Sequence, residues 1–219
     1  MRLYESSIPS GNAYKVSLLL SHLNIPFETT SLDILATPPE TRRPEFLKIN
    51  RNGRIPVLVL DDPNTPPLAE SNAIIFYLAE TYGRFLPTTA LGRAQVLQWL
   101  FFEQYSHEPY IAALKYWTYW APEQFEERGE KEVKRIKERG QAALDVMEGH
   151  LKGEEGEAPR EWFVGNGMTI ADIALYAYTQ SAEMIGFTLG ENVKAWLERV
   201  RNQEGHVRIR KDPLGKCPL

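Results

Sequence analysis

Cysteine is almost missing from this chain: Cys217 is the only one in 219 residues. An intramolecular disulfide, a Cys-x-x-Cys redox pair and a cysteine-rich metal site are thereby excluded. The four histidines, His22, His107, His150 and His206, are scattered and show no local zinc-ligand spacing. No metal or prosthetic group is therefore expected. No apolar run approaches the roughly 20 residues that span a bilayer, so no membrane partner is expected. Positive charge is not in excess either. The formal net charge of −4 gives no electrostatic case for nucleic acid or an anionic surface. Basic residues gather only late, at Arg199, Arg201, Arg208, Arg210 and Lys211, and read as a solvated face. The opening Met1-Arg2-Leu3-Tyr4-Glu5-Ser6 lacks the apolar stretch and cleavage pattern of a signal peptide. A cytoplasmic location is the expectation. No repeat of roughly 20–50 residues marks a solenoid.

What is present is an ordinary folded composition, 43% hydrophobic and 25% charged. The length suits one large or two small domains. Arg2–Glu5 reads as a short strand, and Gly11–Leu23 carries Val16, Leu19, Leu20 and Leu23 at helical spacing. Pro26–Leu32 is rich in β-formers, and Pro44–Ile49 is a short helix or turn. Pro56–Leu60 is an apolar strand, Asp61–Pro67 a turn and Pro67–Ala69 a brief return strand. Glu70–Tyr82 is a helix with Ile74, Ile75, Leu78 and Tyr82 on its apolar face. Residues 1–82 thus follow the order β-α-β-α-β-β-α, and 83–90 read as a linker. From 91 to 219 the pattern is helical. Arg93–Trp117 is a long aromatic-rich stretch, Pro122 interrupts the run after it, and Glu130–Leu151 is amphipathic. The expected fold class is α/β plus all-α, a thioredoxin-like N-terminal domain followed by an all-helical C-terminal domain.

Three short segments stand out. In Asn52-Gly53-Arg54-Ile55-Pro56-Val57, the proline sits at a strand entrance, where its missing N–H matters least. Packing can hold such a bond cis, which would turn the Ile55 N–H and C=O outward as an edge for an extended peptide. Glu70-Ser71 opens a helix, whose free N–H groups and dipole favour a carboxylate. Thr169-Ile170-Ala171-Asp172 is a carboxylate variant of the capping box, a folding device worth about 1 kcal/mol. These segments, with the wording Met168-Thr169-Ile170-Ala171-Asp172-Ile173, resemble the soluble glutathione S-transferase family over nearly the whole chain. The resemblance is to serine-type, bacterial or fungal-like members.

The resemblance implies glutathione as co-substrate and a site residue where the first strand hands over to the first helix. Ser10 falls at that catalytic position, and Asn12 at a second sulfur-contacting position. A free thiol ionises near pH 8.5 (about), so a hydroxyl donor and a helix N-terminus are needed to favour thiolate. Ser10 also suits a plain helix cap, and Ser6, Ser7 and Tyr4 compete for the hydroxyl role. For glutathione, the resemblance implies Ile55 main chain on the cysteinyl unit, held by Pro56. It also implies Glu70 on the γ-glutamyl ammonium, Ser71 on its carboxylate and Arg54 on the glycine carboxylate. A hydrophobic electrophile would lie between the domains, near Tyr105, His107, Tyr110 and Trp117. The implied assembly is a homodimer, and the implied activity is detoxifying conjugation. Two alternatives stay open: a glutathione-dependent disulfide or peroxide reductase without a protein cysteine, and a non-catalytic glutathione-binding scaffold.

Overall fold

The computed structural model describes residues 1–218. The chain divides into two units, Met1–Arg84 with the segment from Glu204 onward, and Phe85–Gln203. In the first unit, four strands form one sheet in the order β2-β1-β3-β4. Strand β1 (Arg2–Ser6) runs parallel to β2 (Glu28–Leu32) and antiparallel to β3 (Val57–Val59). Strand β4 (Leu68–Ala69) closes the other edge against β3. Between β1 and β2 lies helix α1 (Gly11–Leu23), α2 (Pro44–Ile49) precedes β3, and α3 (Ser71–Tyr82) follows β4. This is the expected β-α-β-α-β-β-α order, and with the helical second unit it is the thioredoxin-like arrangement anticipated above.

Helix α1 is buried on nearly every side, through Ala13, Tyr14, Val16, Leu18, Leu19 and Leu20. A helix buried on most of its faces belongs to a core, so α1 anchors the unit beneath the sheet. It ends at Asn24 in the left-handed conformation (φ 61°), which asparagine tolerates better than most residues.

The expectation that 91–219 forms one helical domain differs from the structure at its end. From Glu204 the chain leaves the helical unit and straps onto the first. The His22 ring nitrogen Nδ1 lies 2.8 Å from the Glu204 carbonyl, and the Tyr14 hydroxyl donates to the Val207 carbonyl at 2.6 Å. Arg210 donates to Glu5 Oε1 (2.9 Å), Ser31 Oγ (2.9 Å) and the Ser6 carbonyl (3.2 Å). Arg210 is therefore an anchor of the strap, not part of a merely solvated face. Burial pushes the Glu5 carboxyl up from its ordinary range, and Arg210 and Ser31 pull it back only in part. The strap has no regular secondary structure, so no periodicity announced it.

The second unit is helical: α4 (Ala90–Phe102), α5 (Glu108–Tyr119), α6 (Pro122–Lys152), α7 (Ile170–Thr179) and α8 (Glu191–Arg201). The aromatic stretch expected as one pattern is two helices joined by a π-helical turn, Glu103–His107. Pro122 begins α6 rather than only interrupting a run, because its fixed φ and absent N–H suit the first helical position. Gly129 (φ 72°, ψ 158°) kinks α6 near its start. Helix α7 is buried along its whole length, and Trp196 of α8 packs edge-on to Phe163 and Tyr176. Among the described residues no helix is long and apolar enough to cross a membrane.

Candidate functional site

The first unit brings the starts of α1 and α3 together. Ser10 caps α1 in an extended conformation, its Oγ accepting from the Ala13 N–H at 3.4 Å. That contact uses an oxygen lone pair and leaves the hydroxyl hydrogen able to donate elsewhere. Two residues on, the half-buried Asn12 reaches across to α3: its Oδ1 accepts from Ser71 Oγ at 3.1 Å. It also accepts from Lys15 Nζ at 2.8 Å.

Lys15 is the residue that sequence reasoning missed. Its side chain is fully buried, and Nζ lies 3.4 Å from both Ser71 Oγ and Asn72 Oδ1, besides the contact with Asn12. Three oxygens accepting from one nitrogen require three hydrogens, which only the ammonium form provides. Two helix N-termini and a buried ammonium thus meet in one place, an environment that favours anions. A signal was present in the sequence. In a leucine-rich helix, the i, i+3 spacing that puts Lys15 beside Asn12 marks it as a lysine with a polar partner on its own helix.

Glu70 stands at the N-cap of α3 with φ 69° and ψ 112°, a strained backbone for a residue with a Cβ. Its side chain makes no cap and is exposed. Ser71 behind it is buried. The Ile55–Pro56 bond is cis. Ile55 lies before the β3 ladder, and its main chain takes no part in the pairing of β3 with β4. The loop leading there is built by Asn50, whose Nδ2 donates to the Arg54 carbonyl at 2.8 Å and whose Oδ1 accepts from the Asn52 N–H at 3.1 Å. Gly53 (φ 61°) lets the loop pass close to Arg42 and Thr41, where a Cβ would meet Thr41 O at 2.9 Å. The Arg54 side chain is exposed.

The four aromatic and imidazole residues expected around the electrophile belong to the second unit, and the structure separates them. His107 is fully buried, with Nε2 at 2.9 Å from Thr179 Oγ1. Thr179 itself donates to the Leu175 carbonyl at 2.7 Å, so the Nε2 of His107 carries the shared hydrogen. Trp117 is buried too, with the Arg128 guanidinium 4.6 Å from its ring centroid. Both are core residues. Tyr105 is exposed on the π-helical turn, and Tyr110 is half-buried with its hydroxyl 3.3 Å from Arg139. Among the described residues no three His, Cys, Asp or Glu side chains cluster to hold a metal.

This geometry coincides with strong similarity to known proteins. Residues 9–81 match the model "Glutathione S-transferase, N-terminal domain", and residues 98–204 match "Glutathione S-transferase, C-terminal domain". The crystal structure of a glutathione S-transferase from Xanthobacter autotrophicus Py2 is 42% identical, with a TM-score of 0.81 over 97% of this chain and 96% of that one. The chain belongs to the glutathione S-transferase family. A glutathione transferase from Pseudomonas putida, solved with one glutathione disulfide bound per subunit, is 27% identical with a TM-score of 0.77, covering 93% of this chain and 87% of that one. The disulfide-bond oxidoreductase YfcG of Escherichia coli is 29% identical over 204 residues, 89% of this chain and 88% of that protein. Protein URE2 of Debaryomyces hansenii is 32% identical over 208 residues. The alignment covers 81% of this chain but only 66% of that fungal relative, about two thirds of its length.

Proposed function

We propose that the chain is an enzyme that binds glutathione in its first unit and conjugates the thiolate to hydrophobic electrophiles. The observation that carries this reading is the meeting of Ser10, Asn12, Lys15 and Ser71 at two helix starts. An anion placed there gains from both helix dipoles and from a nearby positive charge. The Ile55 main chain, outside the β3–β4 pairing, suits the cysteinyl backbone, and the exposed Glu70 carboxylate suits the γ-glutamyl ammonium. The Ser71 hydroxyl donates to Asn12, so in this reading Ser71 meets the γ-glutamyl carboxylate through its main-chain N–H at the start of α3. Arg54 is assigned to the glycine carboxylate, as a charge on an ordered loop. Tyr105 and Tyr110 are the proposed electrophile contacts, and no direct contact is proposed for the buried His107 and Trp117. A cytoplasmic homodimer belongs to the same reading, and sedimentation velocity tests the assembly.

A thiolate needs stabilising before it attacks, and Ser10 with Asn12 would do this by donating hydrogen bonds to sulfur. The test is a pH titration of the protein with glutathione, followed by thiolate ultraviolet absorbance. Ionisation of bound glutathione well below the free-thiol range supports the reading, and ionisation in the free-thiol range overturns it. Ser10→Ala should lower turnover more than glutathione affinity.

One further reading has an observation in its favour. The similarity to a disulfide-bond oxidoreductase, and to a transferase that holds glutathione disulfide, suits a reductase that exchanges thiols between glutathione molecules. The only protein cysteine, Cys217, is buried in the C-terminal strap, so such a reaction would use glutathione thiols alone. Turnover of a small disulfide well above turnover of a conjugation substrate would decide for it.

A further inference from the structure

Lys15 is a fully buried cation that the glutathione contacts assigned above do not use. Its Nζ donates to Asn12 Oδ1 at 2.8 Å, and the same oxygen accepts from Ser71 Oγ at 3.1 Å. Carboxamide oxygen and nitrogen differ only in what they can bond, and two donors aimed at one atom settle which is which. With Oδ1 held by the Lys15 ammonium and the Ser71 hydroxyl, Nδ2 points away from the ammonium. A rotated Asn12 would set its NH₂ against an ammonium, donor against donor.

We infer that Lys15 is a positioning residue for the sulfur of glutathione: it fixes the Asn12 carboxamide with Nδ2 as the outward donor and keeps a positive charge behind it. The inference rests on the proposed glutathione reading and deepens it, since it gives Asn12 its role as sulfur donor through a specific partner. It also accounts for Ser71. With its hydrogen on Asn12 and its lone pair toward Lys15 at 3.4 Å, the Ser71 hydroxyl braces the amide from the side of α3. Asn72 Oδ1, at 3.4 Å from Nζ, holds the ammonium from the same helix. Because Lys15 lies beneath Asn12 and is wholly buried, it acts on the bound thiol through the amide and through its charge, not by contact.

The experiment is the thiolate titration with glutathione, run on the full chain and on three variants. Lys15→Met removes both donor and charge at similar volume, and Lys15→Gln keeps a donor without charge. Asn12→Ala removes the amide. Lys15→Met should raise the pH at which bound glutathione ionises by about one unit, the size expected for a nearby charge. Lys15→Gln should recover part of that shift. In the Asn12→Ala background the Lys15→Met effect should shrink, because the amide it orients is gone. If the wild-type chain lowers thiol ionisation and a folded Lys15→Met leaves it unchanged, Lys15 only fills the core and the inference is overturned. An equal Lys15→Met shift with and without Asn12 overturns the orienting role. Wild-type protein that does not lower thiol ionisation at all overturns the glutathione reading instead, so the two failures are told apart. Should the methionine variant not fold, the glutamine variant decides, since an unshifted ionisation there and in Asn12→Ala also overturns the inference.

Discussion

Two helix starts, one in each unit, are handled in opposite ways. At α7, Thr169 Oγ1 accepts from the Ala171 N–H at 3.2 Å, and Asp172 returns to the Thr169 N–H at 2.8 Å. Asp172 also accepts from the Phe163 N–H at 3.1 Å and from the Trp196 indole N–H at 3.0 Å. At α3, the N-cap Glu70 offers no side-chain bond, and its backbone is held at φ 69°. The first start is closed by its own chain; the second has no cap from its N-cap side chain and lies beside a buried ammonium. Orphan N–H groups must find a partner somewhere, so a start that the protein leaves unfinished is a place for a ligand. The contrast separates folding from function within one class of local structure.

Breaking the closed start should have the largest effect. Asp172→Ala removes the acceptor for four donors in a fully buried place, and unsatisfied buried donors cost about 1–3 kcal/mol each where water cannot replace them. We expect a loss of about 3 kcal/mol or more by urea unfolding, with glutathione affinity of the remaining folded protein unchanged. A loss below about 1 kcal/mol would mean that the box is only the local cap its sequence suggests. At the open start the sign should reverse. Glu70→Gly relieves a strained backbone, so stability should rise by about 1 kcal/mol while glutathione affinity falls at least about tenfold. Equal or lower stability with unchanged affinity would remove α3 from the comparison.

Much of this contrast was legible in the sequence, because it is local. The bounds Gly11–Leu23 and Pro44–Ile49 coincide with the observed helices, and Thr169-x-x-Asp172 names its own cap. Periodicity and capping are written within a few neighbouring residues. The further partners of Asp172 were not legible, since Phe163 and Trp196 come from segments that meet only in the fold. The same applies to the strap from Glu204, which has no periodic element and is held by Tyr14, His22 and Glu5, far away in the chain. At the candidate site, Ser10, Asn12, Glu70 and Ser71 could be picked from their positions before helices, and the Asn12–Ser71 contact draws two of them together. Lys15 was passed over because a charge is read as solvated by default, and only the packing of α1 shows that it is not.

A third helix start sharpens the comparison with the smallest effect. Helix α8 has Gly190 at its N-cap and is closed from a distance by Glu148 of α6. The Glu148 carboxylate accepts from the Asn192 N–H (3.2 Å), Asn192 Nδ2 (2.7 Å) and the Val193 N–H (2.9 Å). Gly190 lets the Glu148 carboxylate approach closely, since a methyl group there would displace it from this position. Desolvation by burial would raise the Glu148 carboxyl, but the bonds from Asn192 and Val193 outweigh it and hold it below its ordinary value of 4.5. A depressed folded value means that the carboxylate contributes stability above about pH 4.5 and loses that contribution as the pH falls through the folded value. Glu148→Gln should therefore cost about 1 kcal/mol at neutral pH, the usual worth of a cap, and the deficit should shrink on acidification. Asp172 has the opposite sign: burial raises its carboxyl, so its contribution is present at low pH and lost as the pH rises through the folded value. Urea midpoints of the wild type and Glu148→Gln across the acid range would show the two curves converging. Parallel curves would mean that hydrogen bonding at the start of α8 does not depend on the charge of Glu148, leaving α7 as the only start closed by a titrating partner in this comparison.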